Sequence, residues 1–328
     1  MKIVIIGSGA MGSLFACRLS SLADIVMLGT WSEQLFTVGS SGLLMQQPNG
    51  QESLHYFSTT SKPDVVGKSD VVLVLVKTWQ TSRAAQQANQ VLTHNGIAIT
   101  LQNGLGNRQV LAAKLGESRV VQGITSEGAM MITPGVVRHA GHGLSHIAAK
   151  KGNQSLVSEL VLLLNLAGFN TELVESTDSL IWGKLTVNSG INPLSALLQV
   201  PNGTLAEHIA TRDLMCLAAE ETAAVARAQG IPLPYESASD RVVEVAHATA
   251  QNRSSMAQDI ARGTPTEIDS INGAIIRIGQ SMRIETEVNQ IFFSLIRSQI
   301  ETGEWRSRIQ LLSDPLKQKF EAILSVNN

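Results

Sequence analysis

Cysteine is nearly absent. The 328 residues hold two, Cys17 and Cys216, with no CxxC pair and no local His/Cys cluster. Disulfide scaffolds and zinc frameworks both need more, so the two read as free thiols of a reducing compartment, and no bound metal is expected. Charge is also scarce: Asp, Glu, Lys and Arg make up 16% of the chain, the net charge is -2, and no basic block occurs. Nucleic acids and anionic membranes would find no electrostatic footprint here. A small anionic ligand needs only local positive groups. Apolar runs are short. The one at residues 71–76 falls far below the ~20 residues of a membrane helix. The opening Met1-Lys2-Ile3-Val4-Ile5-Ile6-Gly7 is too brief for the core of a signal peptide. The expected location is the cytosol.

Apolar residues, by contrast, make up 44% of the chain, enough for large buried cores and against disorder. At ~100–200 residues per domain, the length suggests two domains. Short β-branched runs at 3–6, 25–28, 71–76 and 97–101, separated by helical stretches such as 11–22, predict βαβ units and a buried parallel sheet. Segments 119–124, 136–139 and 145–148 read as further strands of more antiparallel character. A helix over 154–166 should end at Gly168, and 171–174 closes the strand series. From there on the pattern is helical: 176–198, 204–229, 235–251, 255–262, 266–281 and 285–301, punctuated by Asn202-Gly203, Gly230-Ile231-Pro232 and Gly263-Thr264-Pro265. The expected domains are 1–174 and 175–328.

Gly7-Ser8-Gly9-Ala10-Met11-Gly12 fits GxGxxG, directly after a strand and opening a helix. Gly7 permits the tight turn, Gly9 lets the backbone approach a pyrophosphate, and Gly12 lets helix pack on strand. Free N–H groups at the helix start complete a phosphate site. The second strand ends in Leu28-Gly29-Thr30-Trp31-Ser32-Glu33, with neither the strand-end acid that binds a ribose 2′-hydroxyl nor the Arg that accommodates a 2′-phosphate. Thr30 and Ser32 offer hydrogen bonds to a phosphate, Glu33 offers an acceptor further on, and Trp31 either stacks on adenine or packs locally. Two other strand ends carry polar residues, Lys77 and Gln102-Asn103-Gly104. Lys77 reads as a ribose or phosphate contact or as a solvated lysine. Asn103 reads as a substrate amide or as half of an ordinary Asn-Gly turn. Their shared sheet edge favours the ligand in both cases.

Lys184, Asn188 and Asn192 are spaced i, i+4, i+8 within Trp182-Gly183-Lys184-Leu185-Thr186-Val187-Asn188-Ser189-Gly190-Ile191-Asn192-Pro193. They form one polar stripe on an otherwise apolar helix, either a pocket wall or a solvated face. Pro193 is expected to break or kink that helix. Burial would draw the pKa of Lys184 toward neutrality and make it a proton donor. Further on, Ser255 and Gln258 fit a capping box, a role compatible with binding a carboxylate. Glu267 falls in the first turn of the next predicted helix, as a favourable first-turn acid or as an ionised acceptor for a substrate hydroxyl or the lysine.

These motifs together, with Pro201-Asn202-Gly203, Ser254-Ser255-Met256, Asp259, Thr266-Glu267-Ile268-Asp269 and Ile271-Asn272-Gly273, resemble the ketopantoate reductase family over nearly the whole chain. The resemblance implies an α/β Rossmann-type dinucleotide-binding domain followed by an all-α domain like the C-terminal domain of 6-phosphogluconate dehydrogenases. It implies NADPH-dependent reduction of 2-dehydropantoate to (R)-pantoate in pantothenate and coenzyme A synthesis. Carried over, Lys184 is the general acid, working with Glu267. Asn103, Asn188, Asn192, Asn202, Asn252 and Ser255 hold the substrate. Gly7, Ser8, Gly9, Ala10, Met11, Gly12, Thr30, Ser32, Lys77 and Asn103 hold the cofactor. The family commonly has an Arg just after the second strand, where Thr30-Trp31 stand here, so NADH stays open beside NADPH. The expected partner is a small 2-keto acid, and the expected state is a monomer or homodimer. A reductase of another 2-keto acid or imine, and an NADP(H)-sensing protein without turnover, are the alternatives.

Overall fold

A computed structural model of the chain describes residues 1–326. The chain divides into two compact units. Unit 1 comprises Met1–Gln102 and Gly106–Thr177; unit 2 comprises Asn103–Leu105 and the described chain from Asp178 onward.

Unit 1 is built on an eight-stranded sheet. Its strands are β1 (Lys2–Ile6), β2 (Asp24–Leu28), β5 (Ser58–Thr60), β6 (Ser69–Val74), β7 (Leu92–Thr100), β8 (Val120–Thr125), β11 (Leu144–Ala148) and β12 (Asn170–Val174), in the order β12-β11-β8-β7-β6-β1-β2-β5. Every neighbouring pair is parallel except β11 with β8. The strands are apolar without alternation because both faces are covered. Ile3, Ile5, Val71, Leu73, Ile97 and Ile99 pack with helices α1 (Ala10–Leu19) and α5 (Gln154–Leu166). The alternate residues Val4, Ile6, Val72, Val74 and Ala98 pack with α3 (Thr81–Val91) and α4 (Asn107–Leu115). Chain order reverses direction on either side of β1, so the crevice beyond its carboxyl end is the topological switch point of the sheet.

A second sheet has no counterpart in the sequence reading as a sheet. It consists of β3 (Leu43–Gln46), β4 (Glu52–His55), β9 (Gly128–Thr133) and β10 (Val136–Gly141), in the order β4-β3-β10-β9, and follows helix α2 (Ser32–Ser41). Arg18 of α1 ties it down. Its guanidinium donates to the Ala167 carbonyl at 3.0 Å and to Nδ1 of buried His139 at 2.9 Å, and it lies 5.4 Å from the centre of the Phe169 ring. Nε2 of His139 meets the Glu127 carboxylate at 2.5 Å.

Unit 2 is helical: α6 (Asp178–Leu198), α7 (Asn202–Glu207), α8 (Ile209–Ala228), α9 (Ala238–Ala248), α10 (Ser255–Ala261), α11 (Asn272–Met282), α12 (Glu287–Thr302) and α13 (Asp314–Val326). Residues 182–197 of α6 are buried at nearly every position. The alanine-rich face of α8 (Ala218, Ala219, Ala223, Ala226) lies in the same core. Gly190 permits that approach, since a Cβ there would stand 2.6 Å from the Met215 carbonyl oxygen.

Three expectations are corrected. Helix α6 runs unbroken through Pro193. Proline has no N–H to offer the Ser189 carbonyl four residues back. The Asn272 amide donates to that carbonyl instead, at 3.1 Å. The helix expected over 204–229 is two helices, parted at extended His208, with the Thr211 hydroxyl donating to the Leu205 and His208 carbonyls. The helix expected from 266 begins at Asn272. Glu267 therefore lies in a turn, its carbonyl accepting from the Ser270 and Ile271 amides.

Arg18→Leu should destabilise unit 1, because the carbonyls and His139 lose a charged donor. Hydrogen bonds to charged groups contribute roughly 1.5–3 kcal/mol each. A loss of at least about 2 kcal/mol in urea unfolding is expected; an unchanged midpoint would show that the second sheet is held by its strands alone.

Candidate active site

The glycine turn of unit 1 has the geometry its spacing demands. Gly7 has φ +130°, and a Cβ there would lie 2.7 Å from the Leu75 carbonyl oxygen. A Cβ on Gly12 would lie 1.8 Å from the Gly7 oxygen, so α1 rests directly on the turn. Gly9 differs: a Cβ there meets nothing within 4 Å. It is exposed, and no side chain caps α1, so space is open beside the backbone N–H groups that begin the helix. Ser8 is buried beside Gly29, where a Cβ would stand 2.5 Å from the serine Oγ. This cradle fits a dinucleotide pyrophosphate.

Around it, Lys77 is partly buried just after β6, and Thr30, Trp31 and Ser32 are exposed at the end of β2. Gln102 is used internally, its amide donating to the Val76 carbonyl and the Thr81 hydroxyl, each at 2.9 Å. One neighbour escaped the sequence reading. Arg83 of α3 donates to Thr30 Oγ1 at 3.2 Å, and no local pattern signals a partner 53 residues away.

In unit 2, Lys184 is partly buried on α6. Burial of its ammonium pushes the pKa down to about 8, against an upward pull from the Glu267 carboxylate. Glu267 is 5% exposed and accepts a long hydrogen bond, 3.4 Å, from the Asn103 amide. That amide is delivered by a close dock. The Leu105 N–H donates to the Ser270 carbonyl at 2.9 Å, and a Cβ on Gly104 would lie 2.6 Å from the same oxygen. The Asn-Gly pair thus serves as turn and as amide carrier together. Gly183 has a similar part beside the lysine. Pro234 occupies the place its Cβ would take, and the Tyr235 hydroxyl donates to its carbonyl at 3.0 Å.

Lys184, Glu267 and Asn103 are brought together. Asn188 is partly buried and Asn192 buried, one and two turns along α6. Asn202 is buried, its amide donating to Thr249 Oγ1 at 2.9 Å, while its Oδ1 has no partner among the described residues. Asn252 is exposed and joins Asn202 through its backbone carbonyl. Ser255 is exposed but does not cap α10. Ser254 does, accepting from the Ala257 N–H at 3.1 Å and donating to the Asn192 carbonyl at 3.4 Å. The cap selects the serine whose hydroxyl can turn back into the core, which leaves Ser255 one place inside the helix.

Residues 3–152 match the family model of ketopantoate reductase PanE/ApbA, and residues 177–300 match the model of its C-terminal part. The chain belongs to the ketopantoate reductase family. A 2-dehydropantoate 2-reductase of Halobacterium salinarum is 36% identical over 299 residues, covering 90% of this chain and 98% of that one. The crystal structure of a PanE/ApbA family ketopantoate reductase from Ralstonia eutropha JMP134 superposes with a TM-score of 0.85 at 29% identity, covering 92% and 99%. D-Mandelate dehydrogenase, solved with NADH and anilino(oxo)acetate, shares the fold at a TM-score of 0.84 and 23% identity, covering 92% and 99%. The architecture is that of ketopantoate reductases, an α/β unit with a mostly parallel sheet followed by a helical unit. Among the described residues, no helix is long and apolar enough to cross a membrane.

The two glycines should respond oppositely. Gly9→Asp should fold normally and lose dinucleotide binding, since its side chain and charge project into the cradle. Gly12→Ala should lose stability first, because backbone stands where its Cβ must go. Thermal melts with a fluorescence titration of NADPH separate them. A folded Gly9→Asp protein with undiminished affinity would refute the cradle.

Proposed function

We propose that this chain reduces 2-dehydropantoate to (R)-pantoate, in pantothenate and coenzyme A synthesis, with NADPH preferred to NADH. The observation that carries this reading is a lysine drawn down to a pKa of about 8 beside a buried glutamate, in a member of the ketopantoate reductase family. A sensor of the cofactor needs no such proton donor. A bound reduced nicotinamide supplies the hydride.

The chain supplies everything else. As C2 of the keto acid is reduced, negative charge grows on its oxygen. In this reading Lys184 stabilises that charge and gives its proton to the oxygen. Its depressed pKa makes the transfer easier than from an ordinary lysine, and the Glu267 charge keeps enough of it protonated near neutrality. Glu267, held by Asn103, and the unpaired Oδ1 of Asn202 are acceptors suited to the distal hydroxyl of the substrate. The exposed Ser255 hydroxyl and the Asn252, Asn188 and Asn192 amides are donors suited to its carboxylate. Gly7 to Gly12, with Thr30, Ser32 and Lys77, hold the dinucleotide. A spectrophotometric assay of NADPH and NADH oxidation over a panel of branched 2-keto acids tests the substrate; a better substrate than 2-dehydropantoate would displace the assignment.

Lys184→Ala should lose about 10²–10⁴-fold in kcat, the usual contribution of general acid catalysis. Its affinity for NADPH should be unchanged. A loss confined to KM would make the lysine a carboxylate binder instead.

The pH profile carries a sign. The acid must be protonated, so kcat/KM should fall as pH rises through about 8. Because Glu267 raises the lysine pKa, Glu267→Gln should move that limb toward lower pH. A limb that stays in place in the variant would detach Glu267 from the proton donor.

A further inference from the structure

We propose that Arg83, on α3, is the residue that recognises a nucleoside 2′-phosphate, supplying the charge that the end of β2 lacks. The inference rests on the reading of unit 1 as a nicotinamide dinucleotide site. In doubly wound sheets the ribose 2′ position lies at the end of the second strand, read there by an acid or accommodated by an Arg. Here that strand runs into Gly29-Thr30-Trp31-Ser32, all without charge. The first acid, Glu33, is already in the first turn of α2.

Arg83 reaches the same place from another element. Its guanidinium donates to Thr30 Oγ1 at 3.2 Å. Both residues are exposed, and no carboxylate pairs with the guanidinium among the described residues. One donor edge of the guanidinium spent on a neutral hydroxyl leaves others for an anion, in the planar fork that suits phosphate. The arginine also stands on a fixed base. Two residues before it, buried Thr81 donates to Asn107 Oδ1 at 2.9 Å and accepts from the Gln102 amide at 2.9 Å. The first turn of α3 is therefore pinned to Gln102 just after β7 and to the start of α4, and the guanidinium starts from a set position rather than from a loose loop. Thr30 adds a hydroxyl that can turn toward the same anion.

The test is calorimetric titration of the full chain with 2′,5′-ADP and with 5′-AMP, which differ only in the 2′-phosphate, beside NADPH and NADH. The unmodified protein should prefer 2′,5′-ADP. Arg83→Gln should weaken 2′,5′-ADP and NADPH about 10- to 100-fold, the range of one charge-assisted contact, and leave 5′-AMP and NADH unchanged. Arg83→Glu should go further and reverse the preference. Arg83 is exposed, so thermal melts of both variants should match the parent. Equal losses for both nucleotides, or undiminished 2′,5′-ADP binding in Arg83→Gln, would overturn the proposal. Turnover of 2-dehydropantoate is measured separately. Arg83-dependent 2′,5′-ADP binding without that turnover would leave this inference standing and remove the proposed reaction. Turnover with no preference for 2′,5′-ADP would do the reverse.

Discussion

Helix α6 must be buried along most of its length and still present an ammonium group. The rest of unit 2 answers to that demand. Small residues let α8 approach closely, with Gly190 against the Met215 carbonyl. Most of the polar groups this burial traps are paired, with the Oδ1 atoms of Asn202 and Asn272 left without a partner among the described residues. Ser189 Oγ meets Thr222 Oγ1 at 2.8 Å. Asn272 reaches the Ser189 carbonyl and the Asn289 side chain. Asn289 in turn donates to the Glu221 carboxylate, which also receives the first N–H groups of α12 at Val288 and Asn289. Burial raises the pKa of Glu221, and those donors oppose it. A chain of amides and a carboxylate thus joins three helices to the one that carries Lys184.

Unit 1 solves a different problem. A parallel sheet covered on both faces leaves its strand ends as the place for function, and it brings residues distant in sequence to a common edge. Glycine then decides how near the backbone can come. At Gly12 contact is so tight that no side chain fits, whereas at Gly9 space is open. The same motif therefore contains one glycine required by packing and one that leaves room for a ligand.

The sequence shows these features to unequal degrees. The glycine turn and the strands around 3–6, 71–76 and 97–101 are local signals and appear in the structure, because a buried parallel strand is apolar throughout. The second sheet is hidden: β4 is Glu52-Ser53-Leu54-His55, a mostly polar stretch although its hairpin with β3 is local, and the pairing of β3 with β10 is set by a contact far along the chain. Glu267 looks helical from its neighbours, but the turn at residues 267–271 is shaped to receive residues 103–105, a demand no window of sequence contains. Ser254 and Ser255 are adjacent and alike, and only the geometry of the cap tells them apart. The Lys184, Asn188 and Asn192 stripe was legible because helical spacing is local, while the carboxylate that tunes the lysine required the fold.

Pro193 and Asn272 form a historical ratchet. While proline occupies 193, the Ser189 carbonyl depends on the Asn272 amide, and any replacement of the asparagine leaves a buried acceptor with no donor. Once 193 becomes an ordinary residue, its own N–H reclaims that carbonyl and the asparagine is released from this duty. A lineage can therefore lose the proline first without stranding that carbonyl, the asparagine keeping its bond to Asn289, but the opposite order passes through a damaged intermediate. Among diverging copies of this chain, an asparagine at 272 should outlive the proline that made it necessary, and a proline without it should be rare.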